Sequence, residues 1–468
     1  DLTWPASLHR QWLDRAADLS ASMEPADRLN LTVERASALL MLGDETGWQV
    51  AEQIPEDAAG SEERQHVVKS HLNIGSIAAA WGRDEEARRR LTKALELSQT
   101  HEYWLYRDMV IAALVHLDWL GGAWHGLAVR ATALAGSGDV HPLARLESVL
   151  VRGLLYAATG EQARAVRDLR RVLNEARQSV AVDSVMEPAA ALARLWLADG
   201  HVDEALRVTQ EAVAILARKQ IWVWATDIAP AHVDALTVTG RIGEAERFVQ
   251  EFADGLYGRD APAPQAALLL CQALVAGGQG EHGQAGAMFA RAALAWQAAA
   301  RPYHELLARE RQARSLLAAG HRTAALKILP DVLSKLSGLG ARGDAMRVIH
   351  TLNEHGVPAK RPWLGGRRSY GAQLSPREID VVRLVLGGRT NRQIAEALFL
   401  SPKTVACHVY SAMRKLNVSN RAALAARAVE AGLGPTGWGG PGTGKPARAA
   451  AAKLGTLPDV CCRSSGGR

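Results

Sequence analysis

Cysteine is scarce in this 468-residue chain, which holds only Cys271, Cys407, Cys461 and Cys462. Thiols so few and so spaced cannot build a disulfide framework. The adjacent Cys461 and Cys462 have no histidine cluster nearby to complete a tetrahedral zinc site. A reducing cytoplasm fits this usage. No run of about 18 apolar residues occurs, so no membrane span is expected. The first residues, DLTWPASLHRQWLDR, carry neither a Met nor a positive-then-apolar signal pattern. They read as mid-protein sequence, as if the chain were the C-terminal part of something longer. Nucleophile–base pairs and metal motifs are missing throughout, so neither enzyme activity nor a cofactor is expected.

What remains is the composition of a soluble globular protein, 48% hydrophobic and 22% charged. Its net charge of +6 hides an asymmetry. Residues 361–434 hold 12 Lys and Arg against 4 Asp and Glu, and residues 435–468 hold 5 against 1. Residues 1–360 carry the reverse balance, 38 basic against 44 acidic side chains. A mildly acidic body joined to a basic end is expected when only the end meets nucleic acid.

The body repeats itself. Glycines recur at Gly43, Gly82, Gly122, Gly160, Gly200, Gly240, Gly280 and Gly320, in steps of 38 to 40 residues. Five positions after six of them stands an alanine: Ala87, Ala165, Ala205, Ala245, Ala285 and Ala325. Acidic residues cluster between the two, as in GRDEEA and GHVDEA. A glycine just past a helix can take the left-handed conformation that closes it. Asp and Glu in the next first turn meet the positive end of the helix dipole. A small alanine there lets two helices approach closely. The flanking segments are apolar at helical spacing.

This pattern reads as a helix pair repeated about eight times, an α-solenoid. It resembles tetratricopeptide repeats, although with a longer period than the roughly 34 residues usual there. Trp48 and Leu127 replace the alanine after Gly43 and Gly122, so those two repeats depart from the pattern. The 13 Trp residues sit mostly inside apolar helix patterns, Trp196, Trp222 and Trp296 among them, and are assigned to packing between repeats. Such solenoids offer concave surfaces to peptides, proteins or small effectors.

From Leu374 the pattern changes. LSPREIDVVRLVLGG opens with Ser375 and Glu378 at capping-box spacing, with Pro376 at the first helical position, and closes at Gly387 and Gly388. TNRQIAEAL opens with a second box, Thr390 and Gln393, and ends before Phe399. In LSPKTVACHVYSAMRKL, Ser401 can cap and no Gly interrupts the run. Val405, Val409, Ala412, Met413 and Leu416 fall on one side of that helix; Lys403, Cys407, Tyr410 and Arg414 fall on the other, with Ala406 and Ser411 at the edges. A last short helix, SNRAALAARAVEAG, ends at Gly432. The second and third helices form a helix-turn-helix, whose later helix lies in the major groove in proteins of this kind.

Leu374-Ser-Pro-Arg-Glu378, Asn391-Arg-Gln-Ile-Ala395, Leu400-Ser-Pro-Lys-Thr-Val405, His408-Val409 and Lys415-Leu416 together resemble the C-terminal domain of LuxR-family (GerE-type) transcription regulators. The upstream repeats resemble those of the large ATP-binding, MalT-like members. No phosphate-binding loop or strand–helix alternation precedes them here, so the NTPase of those members is not expected in this chain. The resemblance implies an all-α protein: a tetratricopeptide-like solenoid followed by a four-helix DNA-binding domain. The expected divisions are residues 1–355 for the repeats, 356–373 for a linker, 374–434 for the helix-turn-helix, and 435–468 for a disordered basic tail rich in Gly, Pro and Ala.

The resemblance also assigns roles. Lys403 and Thr404 match positions that anchor to phosphate or base edges. Ala406, Cys407 and Tyr410 align with base-reading positions, flanked by Ser411 and Arg414. Arg392, Lys415 and Arg421 become candidates for phosphate contacts, which set register without reading sequence. Family members often carry Lys or Arg where Ala406 stands, and the missing charge removes a contact worth roughly 1–3 kcal/mol of base discrimination. Such domains pair through the fourth helix, here through Ala422, Ala425, Ala426 and Val429. The expected partners are double-stranded DNA, a second copy of the chain on DNA and an effector in the solenoid, with RNA polymerase a further candidate.

Two motifs are set aside. GGPGTGKP, from Gly439, nearly spells a phosphate-binding loop, but Pro446 replaces the magnesium-binding hydroxyl and no strand precedes it. Cys407 as a redox sensor lacks a resolving partner nearby in sequence. The reading is therefore a cytoplasmic DNA-binding transcription regulator. Its alternative is an interaction scaffold whose C-terminal domain mediates pairing and does not read DNA.

Overall fold

The computed structural model of the protein describes residues 6–178, 183–359, 374–398, 400–430 and 433. The chain divides into two compact units, Asp1–Trp363 and Leu364–Arg468. Among the described residues both are built from helices, without strands. Phe399, Gly432, most of the expected linker and the basic tail, with its GGPGTGKP segment, Cys461 and Cys462, lie outside the described residues.

Each recurrent glycine of the first unit turns one helix into the next. After α1 (Ala6–Leu19), Gly43 separates α2 (Pro25–Met41) from α3 (Thr46–Ala51), and Gly82 separates α4 (Ser61–Trp81) from α5 (Asp84–Thr100). Gly122 lies between α6 (Trp104–Leu120) and α7 (Leu127–Gly136), and Gly160 between α8 (Pro142–Thr159) and α9 (Gln162–Gln178). Gly200 follows α10 (Asp183–Ala198) and precedes α11 (Val202–Lys219); Gly240 stands between α12 (Ile228–Val238) and α13 (Ile242–Leu256). Gly280 joins α14 (Pro262–Gly278) to α15 (His282–Ala298), Gly320 joins α16 (Pro302–Ala318) to α17 (Arg322–Leu339), and α18 (Arg342–Glu354) closes the unit.

All eight glycines have a positive φ, between +71° and +85°. At Gly82 the motif is complete: its N–H reaches the Ala79 carbonyl at 3.1 Å and the Arg83 N–H reaches that of Ala78 at 2.9 Å. The six alanines after the turns have no exposed surface. Where Trp48 and Leu127 replace that alanine, the second helices α3 and α7 are short, 6 and 10 residues. Trp48 there stands edge-on to Trp81, ring centroids 5.5 Å apart. Trp196, Trp222 and Trp296 are buried, as packing requires.

The solenoid coils until its later repeats lie on its earlier ones. Gly82 sits against Ala263, Gly122 against Pro302, and Gly160 against Gly343. The first of these contacts is so close that a Cβ on Gly82 would come 2.5 Å from the Ala263 nitrogen. Around Gly200, Gly240, Gly280 and Gly320 a Cβ would meet nothing within 4 Å. Only the earlier turns are covered. Arg301, 2% exposed, crosses between the two windings to the Asp84 carboxylate with hydrogen bonds of 2.8 and 2.7 Å. Arg259 donates to the Gly43 carbonyl at 2.7 Å, and the Trp224 indole to that of Met41 at 2.9 Å.

In the second unit four helices follow in quick succession: α19 (Pro376–Leu386), α20 (Asn391–Leu398), α21 (Pro402–Lys415) and α22 (Arg421–Glu430). Val381, Val382, Ile394, Val405, Ala412 and Leu424, drawn from all four, share one core.

Candidate nucleic-acid interface

The helices of the second unit begin where their side chains cap them. Ser375 and Glu378 make both bonds of a capping box, with the Glu378 N–H on Ser375 Oγ at 3.3 Å and the Ser375 N–H on Glu378 Oε2 at 2.7 Å. Thr390 and Gln393 repeat the device at α20, with bonds of 2.9 and 3.3 Å. Ser401 Oγ accepts the Thr404 N–H at 3.0 Å and starts α21. After α21 the chain turns at Asn417, φ +54°, a left-handed position that Asn tolerates better than most residues. Asn420 then caps α22 by accepting the Ala423 N–H at 2.8 Å.

One face of α21 is anchored. Val405, Val409 and Ala412 are buried in the core, with Met413 and Leu416 packed against it. Its C-terminal half is also held by a carboxylate. Glu378, 5% exposed, accepts from Ser411 Oγ at 2.6 Å and from Lys415 Nζ at 2.7 Å while completing its own capping box. Burial alone would push this carboxyl up. The hydrogen bonds from Lys415, Ser411 and Ser375 outweigh it and hold the group at about 2.

The opposite face is free of acid. Not one Asp or Glu occurs in the 14 residues of α21. Lys403, Ala406, Cys407, Tyr410 and Arg414 are exposed, Tyr410 to 68%. Thr404 is half-buried, its hydroxyl 2.8 Å from that of Ser401. These six side chains lie along one helix, and together they offer two fixed cations, a phenol, a thiol and a hydroxyl.

The remaining candidates divide. Arg392 projects from α20, its side chain 86% exposed and 3.5 Å from Glu396. Arg421 instead reaches back to α20, donating to Asn391 Oδ1 at 2.7 Å and to the Arg389 carbonyl. Lys415, its side chain 13% exposed, and Ser411 are bound to Glu378. Sequence reasoning had Glu378 only as a cap; its second role needs the contact between α19 and α21, which no local spacing announces. On α22, Ala422, Ala426 and Val429 are exposed and Ala425 half-buried, whereas Leu424 and Ala428 face the core.

Comparison with known proteins converges on this same unit. Residues 372–428 match the family described as bacterial regulatory proteins, luxR family. The nitrate/nitrite response regulator protein NarP of Escherichia coli is 35% identical over 97 residues, 20% of this chain and 42% of that protein. The uncharacterized transcriptional regulatory protein YhcZ of Bacillus subtilis is 44% identical over 61 residues, 13% of this chain and 28% of that protein. The putative HTH-type transcriptional regulator Mb0914c of Mycobacterium bovis is 42% identical over 73 residues, 16% of this chain and only 8% of its own length. The chain thus carries a LuxR-family helix-turn-helix domain at its C-terminal end, and it spans less than half the length of these relatives. Among the described residues no group of His, Cys, Asp and Glu could hold a metal ion, and no helix is long and apolar enough to cross a membrane.

Proposed function

We propose that this chain is a sequence-specific DNA-binding transcriptional regulator of the LuxR type, with α21 as the helix that enters the major groove. The observation that carries the reading is the acid-free exposed face of α21, fixed from behind by the core and by Glu378. Its family match and the regulator names of its relatives support the same conclusion.

Tyr410, Arg414, Cys407 and Ala406 are the base-facing set, and Lys403 with Thr404 anchors the helix N-terminus at the backbone. Arg392, exposed on α20, is a phosphate contact. Ser411, Lys415 and Arg421 act first as positioning residues, because their side chains bind Glu378, Asn391 and Arg389 within the domain. The stripe of Ala422, Ala425, Ala426 and Val429 pairs two domains on DNA, and the repeat unit receives an effector or partner. Such a regulator works in the cytoplasm, and RNA polymerase is a candidate partner at the promoter.

Selection by the full chain from a pool of random duplexes tests the reading. It should return a roughly palindromic sequence with half-sites about one helical turn apart. Recovery of no preferred sequence would favour an interaction scaffold.

A further inference from the structure

The repeat unit holds a cavity of about 510 Å³, lined mainly from α2, α4, α6, α8 and α10 and by Trp224, Thr226 and Asp227. That is within the range of roughly 300–1,000 Å³ over which proteins hold small molecules. Much of its wall is apolar, including Ile77, Met109, Leu117 and Met186.

One side of the wall is charged. His116 of α6 is set between two carboxylates of the cavity lining, Glu147 of α8 and Glu187 of α10. Its Nδ1 contacts Glu147 Oε1, and its Nε2 stands 2.8 Å from Glu187 Oε2. That second contact has ion-pair distance without hydrogen-bond alignment, so Nε2 is left without a well-aimed acceptor. Burial opposes charge on this imidazole, but the two carboxylates prevail and raise its pKa well above the ordinary value. Two carboxylates against one imidazolium leave a single negative charge.

The other charges along the lining are engaged with one another. Arg301 is held by Asp84, while Asp227 stands 3.3 Å from His304 and feels Arg194 as well. Thr226 Oγ1, buried in the cavity lining, has no hydrogen-bond partner. A net negative charge beside a largely apolar lining favours an occupant that offsets it.

We propose that this cavity binds a small organic cation, an ammonium or guanidinium on a largely apolar body. Its N–H groups meet the carboxylate oxygens of Glu147 and Glu187 that His116 does not use, and its body lies against the apolar wall. The inference rests on the reading of the repeat unit as the part that receives an effector, and it names the chemistry of that effector.

Calorimetric titration of the full chain tests it, with phenethylamine and agmatine as probes and with 2-phenylethanol and 3-phenylpropionate as neutral and anionic counterparts. At least one cation should bind roughly tenfold more tightly than either counterpart. Glu187→Gln should weaken that binding by roughly tenfold, and Ala113→Trp, which fills the cavity, should abolish it. The wild-type comparison decides the matter even if a variant does not fold. Absence of saturable binding by both cations, or equal or tighter binding of a counterpart, overturns the proposal. If a counterpart binds best and Ala113→Trp removes it, the repeat unit still receives a small molecule and only the cationic assignment falls.

Discussion

Lys415 Nζ stands 2.7 Å from Glu378 Oε2, tying the last turn of α21 to the first turn of α19. Both side chains are largely buried, 13% and 6% exposed. Removing one partner would strand the other charge, at a cost of about 3 kcal/mol. Lys415→Ala should therefore lower amide protection across 376–415 in hydrogen exchange of the full chain. Arg414→Ala, one residue away and exposed, should leave protection within about 0.5 kcal/mol of wild type. Equal effects of the two would remove the distinction drawn here between positioning and reading residues.

The same carboxylate sets a pH dependence. Its folded value of about 2 lies below the ordinary carboxylate value of about 4.3. Its stabilisation is thus fully present above the unfolded value and is lost as pH falls from about 4.5 toward 2. In that interval the second unit should loosen, and Glu378→Gln should flatten this part of the profile. Hydrogen exchange at stepped pH reads it; an unchanged profile in the variant would contradict the hub role.

Two turns with nearly the same backbone should respond differently to one methyl group. Gly82 and Gly280 have φ of +85° and +84°, so alanine is strained at either, by about 1–2 kcal/mol. At Gly82 the new Cβ would also collide with the Ala263 backbone, whereas at Gly280 it would meet open space. Gly82→Ala should lower the melting temperature clearly more than Gly280→Ala. Matching shifts would mean that the later repeats do not press on the earlier ones.

The proposed pairing of two DNA-binding domains is tested at Ala426, exposed on α22 opposite the buried Leu424 and Ala428. Ala426→Glu should leave helicity unchanged and weaken binding to a palindromic duplex by roughly tenfold or more, because two like charges then face each other across the pair. Unaltered affinity would place the pairing surface elsewhere.

Much of this was legible in the chain itself. The recurrence of Gly43 to Gly320 announced eight turns because a left-handed φ favours glycine, and Ala87 and its counterparts announced buried positions just after them. The two boxes at Ser375 and Thr390 marked their helices because capping is local. What stayed hidden depends on residues far apart in sequence. No period in the sequence says that Gly82 meets Ala263 or that Arg301 meets Asp84. Nor does a count of charges distinguish Lys415, turned to Glu378, from Arg414, turned to solvent. The cavity triad of His116, Glu147 and Glu187 comes from three helices, and nothing local marks its members.

The central claim, that the exposed face of α21 reads DNA, is tested most directly by gel-shift titration of the full chain against a selected duplex and a scrambled one at rising salt. The account predicts salt-sensitive binding to both duplexes and tighter binding to the selected one. Tyr410→Ala and Arg414→Ala should erase that preference, each by roughly 1–3 kcal/mol, while Arg392→Ala weakens both duplexes alike and lowers the salt slope by about 1. Complete absence of salt-sensitive binding, or a preference untouched by both α21 changes, would contradict it.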